Sequence, residues 1–74
     1  MFPDTFEVGI YYSTTDGEEK AVTDMDKGYL VNAFAKMHRF KAQKIGNEAF
    51  QEVVDHNIKQ LHEEILRRIK LSEE

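Results

Sequence analysis

From Phe50 onward, apolar residues recur at Phe50, Val54, Ile58, Leu61, Ile65 and Ile69, always three or four positions apart. That spacing puts all six on one side of a helix and predicts a helix over about 47–71. The inner four are spaced four, three, four, as in a coiled-coil seam, but Arg68 stands where the next seam residue is due. The heptad therefore does not persist. The stripe is satisfied more simply by a second helix of the same chain, packed antiparallel.

That partner lies upstream. Leu30, Ala33, Phe34, Met37 and Phe40 share helical spacing and predict a first helix over about 24–45. Thr23 or Asp24 is expected to cap it, with Thr23 and Asp26 at the spacing of a capping box. Arg39, Lys41 and Lys44 sit near its end, where cations suit the helix dipole. Gly46 suits the left-handed residue that closes the helix, and Asn47 suits the cap of the next. Val31, Ala35 and Ala42 form a second, weaker apolar face.

Ahead of the helices, Phe6, Val8, Ile10 and Tyr12 alternate with Glu7, Gly9 and Tyr11, which reads as a strand with one buried face. Asp16-Gly17 then supplies a turn, and Lys20 to Thr23 a short return strand. A hairpin over about 5–23 is barely stable alone in water and needs a surface to pack on. The expected fold is α+β: an N-terminal β-hairpin packed on an antiparallel pair of α-helices, as a single small domain over 1–74.

A 74-residue chain buries only about 60% of its unfolded surface and needs reinforcement. With no cysteine, disulfides and thiolate zinc sites are excluded. A homodimer is the expected remedy. No apolar run approaches the roughly 20 residues of a membrane span, and Met1-Phe2-Pro3-Asp4 is unlike a signal peptide. The expectation is a cytoplasmic protein with no membrane partner.

Charge is uneven along the chain. Lys27, Lys36, Arg39, Lys41 and Lys44 face only Asp26 within residues 25–45, making a basic island between acidic flanks. Lys36, Arg39, Lys41 and Lys44 are the candidate nucleic-acid contacts. They are spread around the helix, and the chain as a whole is acidic, with a pI near 5.3. Internal charge complementarity is the simpler use of the island.

Catalysis finds little support. Ser13, Thr14 and Thr15 are turn residues, and the carboxylate pairs, Glu63-Glu64 among them, read as solvated. Glu52 and His56 share a helical face, but one helix supplies too few ligands for a metal, so a solvated face is expected. No enzyme activity and no cofactor are expected.

The run Tyr12-Ser13-Thr14-Thr15-Asp16-Gly17, then Met25, then Tyr29-Leu30-Val31-Asn32-Ala33, resembles a module of small phage and prophage proteins. Its pattern is a Thr-x-Asp-Gly turn followed by Met-x-x-x-(His/Tyr)-Leu-x-Asn-Ala, covering about a third of the chain. The family has no established activity, so the resemblance implies no catalytic residues. It implies a phage-type accessory or regulatory protein in the host cytoplasm. Small size and surplus apolar positions suggest that it acts by binding a protein, with a host factor as one candidate. Tyr11, Tyr29, Val31, Asn32, Ala35, Val53 and Leu66 are the candidate partner contacts. Asn32, a poor helix former, is expected to bond its amide to the hairpin or the preceding loop. A nucleic-acid-binding regulator using residues 36–44 is the alternative.

Overall fold

The computed structural model describes residues 5–73. Strand β1 (Ile10–Tyr12) and strand β2 (Glu19–Ala21) form an antiparallel hairpin, with Tyr11 opposite Lys20. A 3-10 turn (Val22–Asp24) leads to helix α1 (Lys27–Gln43), and helix α2 (Glu48–Glu73) completes the chain. The hairpin packs on α2, and α2 packs on α1. This is the expected α+β arrangement.

Local chemistry makes the hairpin turn. Ser13 N–H donates to Glu18 O at 2.9 Å, and the Asp16 carboxylate accepts Glu18 N–H at 2.9 Å. Gly17 takes the positive φ (+75°) that an L side chain resists. The first strand is shorter than the alternation predicts. A turn at Val8-Gly9 breaks it, with Gly9 at φ +84°, and leaves Val8 84% exposed. Nor does one face alone become buried. Tyr11 enters the main core, while the ring of Tyr12 lies against Phe6 and His56, so both neighbours are covered.

The first helix is capped by Asp26, not by Thr23 or Asp24. Its carboxylate accepts Tyr29 N–H at 2.7 Å. Thr23 and Asp24 are unavailable as caps because the 3-10 turn takes them up, carrying Val22 and Met25 into the core. Leu30, Ala33 and Met37 are buried as their spacing predicts, with Phe34 and Phe40 half-buried beside them.

The helix closes at Lys44 rather than Gly46. Lys44 is left-handed (φ +51°), its N–H donates to Lys41 O, and Ile45 N–H donates to Phe40 O, both at 3.2 Å. This paired closure is a Schellman motif. Gly46 has its own reason: at φ +82°, a Cβ there would lie 2.7 Å from the Phe50 side chain. Asn47 then caps α2 as expected, accepting Phe50 N–H at 2.9 Å.

On α2 the apolar stripe meets α1 through Val54 and Leu61, with Phe50, Ile58 and Ile65 partly covered. Ile69 is 51% exposed. Helix α2 has 26 residues and α1 has 17, a difference of roughly 13 Å at 1.5 Å per residue, so the two cannot cover each other throughout. A second buried row runs beside the first: Val53, Asn57, Gln60 and Glu64, again spaced four, three, four. The hairpin sits on this row. Asn57 joins all three parts. Its amide accepts Tyr12 N–H at 2.9 Å, donates to Tyr12 O at 2.8 Å and lies 3.6 Å from the Met37 sulfur.

Two stability outcomes follow from these contacts. Asn57→Leu keeps the volume but orphans both backbone groups of Tyr12, and is expected to cost on the order of 3 kcal/mol in urea unfolding. Lys44→Gly relieves the left-handed strain and should raise stability by about 1 kcal/mol in the same assay.

Candidate functional site

The polar row of α2 is engaged with backbone. His56 Nε2 lies 2.8 Å from Ile10 O, Gln60 Oε1 accepts Gly9 N–H at 2.7 Å, and Asn57 holds Tyr12. Arg68 donates to Val22 O at 3.1 Å and to Met25 O at 2.6 Å, tying the 3-10 turn to the helix. Glu64 accepts from Arg67 at 2.6 and 2.8 Å and from Arg68 at 2.7 Å. These contacts correct two expectations. Glu64 is buried rather than solvated. His56 is half-buried, stacked on Phe6 with ring centres 5.0 Å apart, and does not share a solvated face with Glu52. His38 and His62 instead lie against Phe34.

The candidate partner contacts divide into two groups. Tyr11 (2% exposed) and Val53 (1% exposed) are removed from any surface, because the hairpin covers the flank of α2 and takes Tyr11 into the core. The others are accessible. Val31 is 49% and Leu66 52% exposed, and Ala35 is exposed. Val31 faces Ile65 and Ile69 across an apolar groove of about 340 Å³ between the start of α1 and the last turns of α2. Helical spacing sets Ala35 beside Val31 and Leu66 beside Ile69. Val31, Ala35, Ile65, Leu66 and Ile69 thus share a region of the helical pair.

Tyr29 and Asn32 line a second concavity, about 350 Å³, between α1 and the hairpin turn. Lys20 Nζ donates to Tyr29 Oη at 3.1 Å and lies 4.6 Å from the ring centre. The Tyr29 ring meets Tyr11 edge-on at 6.3 Å. Asn32 is exposed, and among the described residues its amide makes no bond to the hairpin, contrary to expectation. Hairpin and helix are joined one turn later, where Lys36 Nζ donates to Thr15 Oγ1 at 2.6 Å.

The candidate nucleic-acid contacts do not converge. Lys36 points to the hairpin turn, while Lys41 pairs with Asp55 of α2 at 3.0 Å. Arg39 is exposed, and Lys44 serves the helix closure. Two of the four cations are therefore spent on contacts within the chain.

Comparison with known proteins yields no match among family models, curated proteins or solved structures. The site is thus defined by its own geometry: an apolar region on the helical pair and a polar cleft beside the hairpin. Sequence periodicity missed the buried polar row, because Gln60 and Glu64 are ordinary helix formers of a wet face, and only Asn57, a poor helix former at mid-helix, departs from one. Their spacing of four, three, four beside Val53 was the available signal.

The arginines beside Glu64 hold its carboxyl down to about 2 despite the opposing effect of burial. An acid whose folded pKa is depressed stabilises the fold above its unfolded value, and that contribution is lost as pH falls through the folded value. Stability should therefore drop between about pH 4.5 and 2. Glu64→Gln should flatten this part of the profile, measured by urea midpoints across the range.

Proposed function

We propose that this chain is a small phage-type accessory or regulatory protein of the cytoplasm that acts by binding protein, with a second copy of itself as the first partner. The observation that carries the reading is the apolar groove where half-exposed Val31 and Ile69 meet, with half-exposed Leu66 one helical turn before Ile69. Scattered apolar residues are ordinary on a surface; grouped about one groove, they favour a covering partner. A domain of this size gains most from such a partner. In a two-fold pair each helix face meets its own copy, so the same residues serve both sides.

Light scattering over a concentration series tests the reading. A dimer is expected at micromolar concentration, and Leu66→Asp should convert it to a folded monomer. A wild-type monomer at high micromolar concentration contradicts the pairing. A strongly salt-dependent affinity for DNA or RNA, abolished by reversing Arg39 and Lys41, would favour the nucleic-acid reading instead.

A further inference from the structure

The hairpin has two edges, and α2 closes one of them. Ser13 N–H bonds Glu18 O and Val22 N–H bonds Gly9 O, which fixes the phase of the ladder. Tyr11 and Lys20 then turn their backbone groups toward each other, while Ile10 and Tyr12 turn theirs outward. His56 and Asn57 receive those outward groups. The C=O of Ala21, the residue that opens the 3-10 turn, accepts that turn's first bond. By the same alternation, the N–H and C=O of Glu19 and the N–H of Ala21 point out from β2 on the opposite side. Among the described residues no hydrogen bond reaches them from outside the ladder.

The setting of this edge is acidic. A hollow of about 430 Å³ opens beside it, where Glu19, Asp24 and Asp26 outnumber the one lining cation, Lys20, with Ala21 and Tyr29 among the other walls. Glu18, Glu19 and Asp24 are exposed, and none forms an ion pair among the described residues. The one cation of the strand, Lys20, directs its ammonium to Tyr29 Oη. A second copy fits poorly, because two-fold pairing centred on this edge sets Lys20 opposite Lys20.

We propose that the open edge of β2 docks an extended basic segment of another protein. The segment adds as a third strand along Glu19–Ala21 and sets a lysine or arginine side chain in the acidic hollow. Backbone bonds supply part of the affinity, and the carboxylates select the charge. The inference rests on the protein-binding reading but uses a surface separate from the helix face.

Ala21 offers a specific test. Its φ of −70° is that of proline, and its N–H points away from the ladder. Lys20, in extended backbone, tolerates a following proline. Ala21→Pro should therefore keep the hairpin while deleting one outward donor. The probe is a blocked Lys-Val-Lys-Val-Lys-Val-Lys peptide, titrated into ¹⁵N-labelled protein and followed by NMR. The amide signals of Glu19 and Ala21 should shift, and Ala21→Pro should weaken binding roughly tenfold. A Glu-Val-Glu-Val-Glu-Val-Glu peptide should not bind the wild type. The pair Glu19→Lys and Asp24→Lys should reverse that preference. Methylating alternate backbone nitrogens of the basic probe should abolish binding to the wild type, so the test survives if the proline variant fails to fold. Unmoved Glu19 and Ala21 signals at millimolar probe, equal binding of the acidic peptide, or indifference to backbone methylation overturns the proposal. A monomer that binds the probe contradicts the helix-face dimer alone; a dimer with silent β2 signals contradicts the edge alone.

Discussion

The amide of Asn57 takes the place of a third strand. It accepts the N–H and donates to the C=O of Tyr12, as the next peptide group of a sheet would. A two-stranded hairpin cannot stand alone in water, and unpaired backbone groups pressed against a helix would be costly. Burying β1 against α2 therefore requires polar side chains at the correct register on the helix. Asn57, Gln60 and His56 supply them, and Arg68 does the same for the 3-10 turn. The hairpin position follows from these bonds, and with it the coverage of Tyr11, Val22 and Met25.

The same arrangement decides what remains open. The hairpin covers one flank of the helical pair, leaving Val31, Leu66 and Ile69 half-exposed elsewhere. Side chains of α2 close the β1 edge, leaving the β2 edge to solvent. The apolar region and the strand edge are thus two consequences of one docking. They differ in chemistry: one is apolar, while the other is hydrogen-bonding and acidic.

Much of the fold was legible in the sequence because it rests on periodicity. Leu30, Ala33 and Met37 announce α1, and Val54 and Leu61 announce α2, by apolar spacing alone. Asp16-Gly17 and Asn47 are short-range signals that need no tertiary context. The misreadings arose where long-range contacts overrule local pattern. Tyr11 and Val53 looked like spare apolar residues because nothing local reveals that a hairpin will cover them. His56 looked solvated because its partner is a carbonyl 46 residues distant. The arginines of Glu64 stand only three and four residues on, but Arg68 also reaches the carbonyls of the distant 3-10 turn, which local spacing does not reveal. Asp26 displaced Thr23 as cap because the 3-10 turn consumed the residues before it. Among the proposed contacts, Val31, Ala35 and Leu66 could be placed on helical faces from spacing, but their exposure depended on where the hairpin landed.

Native-state hydrogen exchange at the Tyr12 amide tests the role of Asn57 most directly. Tyr12 N–H is turned away from β2, so without the Asn57 bond it would be a free strand edge. Protection close to that of global unfolding is expected, matching the core of α2 and far above the amides of Glu19 and Ala21 on the open edge. Exchange of Tyr12 at the rate of those two edge amides would contradict that role.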